Sequence, residues 1–235
     1  MAGSRPLTHS EERLLVRRVR RLNSRDRALI TSQLFLGFRI SEVLALKVGH
    51  VFCGGRVRPR VALPPRFLKG GRGTTRTIPI GPELHRALER YLGMRTQGEE
   101  LQPEAPLFLS PRRGPAGAAR PLCRSMAEKI IRKALHGLGS DPLGLSTHSL
   151  RKTFAVRLYE ASDHDLLVVR DGLGHRSVAV TQVYLPRRME RVEQLIRESD
   201  WTRLRRGSKA AAAAGDGMSA VAAKASSPEI AVKAA

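Results

Sequence analysis

Two cysteines stand in the 235 residues, Cys53 and Cys123, far apart and outside any C-x-x-C pair. Their scarcity argues against a disulfide framework and a cysteine-based zinc site, and it suits a reducing cytosol. No apolar run reaches the ~18 residues that a spanning helix needs, and the N-terminus lacks the apolar core of a secretion signal. The expectation is a cytoplasmic protein with no membrane partner. Acid is scarce too: 21 Asp and Glu face 42 Lys and Arg, a formal net charge of +21. Lysine is the minor base, eight residues against 34 Arg.

What is present follows from those shortages. A two-to-one excess of base over acid, in a chain with 41% hydrophobic residues, describes a core-forming protein drawn to a polyanion, nucleic acid first. Arginine favours that reading, because its planar fork pairs with phosphate oxygens. Codon bias in a GC-rich genome also enriches Arg, Ala and Gly, but it does not account for the shortage of acid. Length allows one domain of about 200 residues and a tail. The composition changes after Arg206 to KAAAAAGDGMSAVAAKASSPEIAVKAA-type text without aromatics, so residues 201–235 are expected to be a flexible, Ala-rich C-terminal tail. Six bases and two acids lie from Trp201 onward, which leaves +17 of the charge on residues 1–200.

Helical signals dominate those 200 residues. Thr8 or Ser10 ahead of Glu11 and Glu12 marks a helix start, and Leu14, Leu15, Val19 and Leu22 recur at helical spacing. Further helices are predicted over about 26–37, a short stretch including Ile40 to Leu46, then 82–95, 121–137, 147–161, 165–172 and 187–199, with a short helix or turn over 177–184. Between 51 and 80 the runs VRPRVAL, RFLK and RTIPI are cut by Gly and Pro and have strand length. The predicted class is α+β, mostly helical, with a small antiparallel three-stranded sheet.

Five stretches carry residue types able to handle a phosphodiester: GFRISEVLAL (37–46), FLKGGRGTTRTIPIG (67–81), THSLRKTFA (147–155), GLGHRS (172–177) and VTQVYL (180–185). In this order and at these distances they resemble the tyrosine recombinase (phage integrase) family, over about residues 7 to 200. The resemblance implies a catalytic set of Arg39, Lys69, His148, Arg151, His175 and Tyr184, with Glu42 supporting it as the acid of an R-x-x-E pattern. It implies duplex DNA as partner, four protomers on recombining DNA with a monomer possible when free, and neither metal, cofactor nor small-molecule ligand. Arg72, Arg76, Lys152 and Arg176 become candidates for DNA contacts. The other tyrosines, Tyr91 and Tyr159, read as packing residues, and the remaining histidines show no paired ligand spacing.

The chemistry matches those residue types. Cutting a phosphodiester without metal needs a nucleophile, charge neutralisation on the non-bridging oxygens, and a proton for the leaving sugar oxygen. Tyr184 would attack phosphorus, and the resulting 3′-phosphotyrosyl link is reversible, as strand exchange requires. Arg39 and Arg151 would hold the non-bridging oxygens, with His175 a third donor. Lys69 would protonate the 5′ oxygen, and His148, one turn before Arg151, would relay a proton or orient that Arg. Two departures leave these groups intact: Lys152 stands where the family often has His, and Gly172 where an apolar residue is usual. A third concerns architecture, since the resemblance begins near Leu7 with no N-terminal core-binding domain ahead of it. A recombinase is the leading reading; a catalytically limited DNA-binding accessory protein and a type IB topoisomerase-like relaxing enzyme are the alternatives.

Overall fold

A computed structural model describes residues 4–67, 75–96, 101–112, 114–139 and 144–185. Lys69, Arg72, the helix expected over 187–199 and the Ala-rich tail lie outside them. Helix α1 (His9–Val19) starts at Thr8, whose hydroxyl accepts from the Glu11 N–H while the Glu11 carboxylate returns to the Thr8 N–H. Helix α2 (Ser24–Leu36) buries Ala28, Leu29, Ile30, Leu34 and Leu36. With apolar residues on nearly every side it can only be the central helix, and later helices pack around it. Gly37 ends it at φ 58°, a left-handed cap where a methyl group would overlap the Phe154 ring. That close approach sets α2 against the helix that carries Arg151.

Two short helices follow, α3 (Ile40–Leu44) and α4 (Val48–Val51). Strands β1 (Phe52–Cys53) and β2 (Arg56–Val57) join across Gly54 and Gly55, both at positive φ, as a tight two-residue hairpin demands. Strands β3 (Arg60–Leu63) and β4 (Arg76–Pro79) form a second antiparallel ladder with Val61 opposite Ile78. The α+β class thus holds, with its strands in two pairs among the described residues. Pro59, which has no N–H to donate, separates β2 from β3, and Pro65–Phe67 turns as a 3₁₀ segment where RFLK was expected to extend. Alternation along β3 and β4 buries Val61, Leu63, Ile78 and also Arg76.

Helix α5 (Pro82–Arg95) packs on α2 and buries Leu84, Leu88 and Leu92, and Tyr91 stacks on Phe108 with ring centroids 5.9 Å apart. Helices α6 (Arg124–Leu135), α7 (Thr147–Ala161), α8 (Leu166–Leu173) and α9 (Val178–Gln182) complete the described fold. Most of the core is one cluster around α2, while Ala155, Val169 and Leu173 form a smaller one between α7 and α8, with Tyr159, Tyr184 and Leu185 against it. Gly172 has a packing reason, since any side chain there would overlap Leu158 of α7. The N-terminal segment is strapped to α7: the Leu7 N–H donates to Thr153 Oγ1 at 2.9 Å, and Arg157 pairs with Glu12. Among the described residues no helix is long and apolar enough to cross a membrane.

Candidate active site

The R-x-x-E spacing turns out to be a helix cap and an ion pair at once. Arg39 precedes the first turn of α3, and Glu42, at its third position, accepts the Arg39 N–H at 2.8 Å through one oxygen. The other oxygen accepts Arg39 Nη1, also at 2.8 Å. Glu42 is buried, and two more guanidiniums approach it, Arg76 at 3.6 Å and Arg151 at 3.7 Å. Burial pushes the Glu42 carboxyl up, but the two hydrogen bonds from Arg39 and the charge of Arg151 outweigh it and hold it below the usual carboxylate range.

Arg151, in the middle of α7, has no exposed surface. Its Nη1 donates to the Gly37 carbonyl, and its Nη2 donates to the Leu173 carbonyl at 3.0 Å and to His175 Nε2 at 3.0 Å. Its Nε has no partner among the described residues. His175 follows the left-handed cap of α8 at Gly174, and its Nδ1 lies 3.1 Å from Thr181 Oγ1 on α9. Because Nε2 accepts from Arg151, the neutral ring carries its proton on Nδ1 and donates it to Thr181. In this arrangement the imidazole holds Arg151 instead of offering a proton to a ligand. Tyr184, just past α9, lies across both: its ring centroid is 5.0 Å from that of His175 and 5.7 Å from the Arg151 guanidinium carbon.

Burial pushes His175 down to about 4, with the charges of Arg151, Arg39 and Arg76 acting the same way. A histidine whose folded value lies below its unfolded one binds fewer protons when folded, so it contributes stability that rises with pH between about 4 and 6.5. In a His175→Gln variant the steepness of the urea midpoint against pH in that window is expected to fall, and imidazole NMR of the parent should show His175 neutral at pH 6.

Arg151 also borders an open cleft of about 380 Å³, bounded by Gln33, Arg39, Ser41, Arg124, Thr147 and His148. His148, at the start of α7, is pushed below its usual range by loss of solvent and by the charges of Arg151, Arg124 and Arg39. The structure therefore brings Arg39, His148 and Arg151 to one cleft and sets His175 and Tyr184 against the same guanidinium. Lys152 is half-buried on α7 and Arg176 is exposed.

Arg76, a candidate for a DNA contact, is buried here and bonded within the fold. Its Nη2 donates to the Leu36 carbonyl at 3.0 Å and to the Gly172 carbonyl, and its guanidinium stacks on Phe38 at 4.4 Å. The charge thus caps the carbonyl end of α2 and ties β4 to α8, and its Nε is buried without a partner among the described residues. Its burial was legible, since two residues before Ile78 on a half-buried strand it shares the inward face, but the carbonyls it meets were not. Arg124 was missed for a different reason, since nothing in α6 taken alone reveals that its first residue borders the cleft made by α3 and α7. Thr181, likewise, is found only once α9 is folded back onto His175.

Guanidiniums and an imidazole on a helical scaffold border a cleft with no carboxylate among its lining residues, a setting that favours an anionic group. The chain belongs to the phage integrase family, whose sequence pattern matches residues 5–191. It is 33% identical over 161 residues to tyrosine recombinase XerD of Corynebacterium glutamicum, covering 68% of this chain and 47% of that protein. The chain spans about half the length of the curated relatives it matches. Among solved structures, the XerA recombinase superposes with a TM-score of 0.64 at 23% identity, over 84% of this chain and 66% of the other. The XerH site-specific recombinase bound to its difH substrate, a pre-cleavage complex, gives 0.61 at 22% identity over 86% of this chain and 55% of the other. These similarities establish the fold.

Proposed function

We propose that this chain is the catalytic domain of a site-specific recombinase that cuts and rejoins duplex DNA through a tyrosyl phosphodiester. The observation that carries the reading is the grouping of Arg39, His148, His175 and Tyr184 around the single guanidinium of Arg151. The scissile phosphate would enter the cleft. Among the described residues Arg39 commits only Nη1 to Glu42 and so has donors for the non-bridging oxygens, while Arg151, buried beside the cleft, would add its charge. The Tyr184 oxygen would attack phosphorus, forming the 3′-phosphotyrosyl bond as the bond to the 5′ oxygen breaks. The phenolic proton would pass to His148 or solvent, and Lys69 would protonate the leaving oxygen. Attack by a 5′ hydroxyl of the partner strand reverses every step, releasing Tyr184.

Cationic side chains take the charge-neutralising role that a divalent ion has in other phosphoryl transfers, and the buried carboxylate of Glu42 is committed to three guanidiniums. Four protomers on two duplexes would carry the exchange. The test uses nicked suicide duplexes, drawn from sites selected out of a random pool, so that the released fragment diffuses away. The expected result is a covalent protein–DNA adduct on a denaturing gel. Its absence on every selected site sinks the enzymatic reading and leaves a DNA-binding protein; supercoil relaxation without strand exchange favours the topoisomerase-like outcome.

A further inference from the structure

We propose that Arg76 is a positioning residue for strand cleavage: it divides the carbonyls of two helix ends with Arg151, and that division seats the Arg151 guanidinium beside the cleft. The proposal rests on the recombinase reading, in which the charge of Arg151 acts on the scissile phosphate, and deepens it. The last turn of α8 leaves four carbonyls without helical partners. Two are met by the backbone, since the Gly174 N–H reaches the Arg170 and Asp171 carbonyls and the His175 N–H also reaches that of Arg170. The other two are met by guanidiniums, Gly172 by Arg76 Nη2 and Leu173 by Arg151 Nη2. The end of α2 is divided in the same way. The Leu36 carbonyl accepts Arg76 Nη2 at 3.0 Å, and the Gly37 carbonyl accepts Arg151 Nη1 and lies 3.4 Å from Arg76 Nη2.

The two forks share a counter-charge as well as a carbonyl. Glu42 Oε2 is 3.6 Å from Arg76 Nη1 and 3.7 Å from Arg151 Nη1. Burial, together with the charge of Arg151, pushes the Arg76 guanidinium down to about 9, so at neutral pH it is still a cation. The Nε of each is buried and has no partner among the described residues, so only the terminal amino groups make the hydrogen bonds that place the two side chains. Phe38, itself buried, lies 4.4 Å from the Arg76 guanidinium and steadies its plane. Without Arg76, the Leu36 and Gly172 carbonyls are left to the guanidinium that adjoins them. That guanidinium is Arg151, whose amino groups already serve Gly37, Leu173 and His175. A buried carbonyl without a donor is destabilising, so Arg151 is drawn off its seat and loses its bond to His175. Lysine is no substitute, because one ammonium on a flexible stem does not span carbonyls of two helices as a planar fork does.

The test uses the full chain and two nicked suicide duplexes that differ only at the scissile position. One carries the natural phosphodiester; the other carries a methylphosphonate, in which a methyl group replaces one non-bridging oxygen and its charge. If Arg76 acts by placing the charge of Arg151, its loss matters most where there is phosphate charge to neutralise. At saturating DNA, Arg76→Lys should form the covalent adduct about 10²-fold more slowly than the parent on the phosphodiester, but less than about fivefold more slowly on the methylphosphonate. Both rates come from one preparation, so a loss of folded protein cancels in their ratio. Phe38→Leu, which removes only the ring against Arg76, should show the same selectivity at smaller size, and it carries the test if Arg76→Lys does not fold. Imidazole NMR gives a readout apart from cleavage: the His175 signals should move in either variant as the bond from Arg151 is lost. An Arg76→Lys loss that is equal on both duplexes, or absent, overturns the positioning role and leaves the recombinase reading standing as long as the parent forms adduct. If the parent forms no adduct on either duplex while the His175 signals move, Arg76 does place Arg151 and the strand-cleaving reading fails. His175 signals unmoved in both variants overturn the placement itself.

Discussion

Cleavage by a Tyr184→Phe variant is expected to fall to background, roughly 10⁴-fold or more below the parent, while duplex binding changes by less than about twofold. The contrast follows from what the substitution removes. The Tyr184 ring is half-buried in the small cluster of Ala155, Val169 and Leu173, and it lies over His175 and Arg151. Phenylalanine keeps that ring, its packing and its contact with the guanidinium face, and loses only the oxygen that would become bonded to phosphorus. The measurement is the yield of covalent adduct on a suicide duplex beside an equilibrium binding curve. The other tyrosines provide internal controls. Tyr91 is buried against Phe108 on α5, and Tyr159 packs on His164 at 4.8 Å, so Phe at either position should leave adduct formation intact. An adduct surviving in Tyr184→Phe and lost in Tyr159→Phe would transfer the nucleophile to α7.

Much of this arrangement was legible before folding, and the exceptions share a cause. Helices α1, α2, α5 and α7 follow from local signals, such as the Thr8–Glu11 cap, the Gly37 stop and the apolar spacing along each helix. Arg39, His148, Arg151, His175 and Tyr184 stood out because each sits in its own short motif. What stayed hidden is what depends on elements meeting. Arg76 looked like one more base in a basic hairpin, yet its value lies in the carbonyls of Leu36 and Gly172, 40 and 96 residues away in sequence. Arg151 was expected to face a phosphate with its whole fork. The fold instead spends both its terminal amino groups on Gly37, Leu173 and His175 and leaves Nε over. Gly172 looked like a departure from its motif, and only the closeness of α7 explains it. Periodicity reports which face of an element is inward; it does not report which polar groups wait there.

Glu42 is where those long-range contacts converge, and its replacement by Gln is expected to cost about 3–5 kcal/mol of folding stability, a large share of the ~5–15 kcal/mol that holds a domain together. The carboxylate is acceptor-only and meets donors on every side: the Arg39 N–H and Nη1 at 2.8 Å, with Arg76 and Arg151 at 3.6 and 3.7 Å. An amide has one acceptor and one donor group in that space, so one guanidinium must face an N–H where it faced an oxygen. The three guanidiniums, two of them buried, then repel one another without a counter-charge. The folded Glu42 titrates below its unfolded value, so the stability it contributes is present above about 4.5 and is lost as pH falls through the lowered folded value. Urea midpoints measured from pH 7 down to pH 3 should therefore show a steeper acid loss in the parent than in Glu42→Gln, whose destabilisation is present throughout. Cleavage at a permissive temperature should fall as well, by about 10²-fold, because Arg39 loses the bonds that fix its side chain while Tyr184 remains in place. A variant as stable as the parent, with the same acid limb, would show that Glu42 does not hold the arginines together.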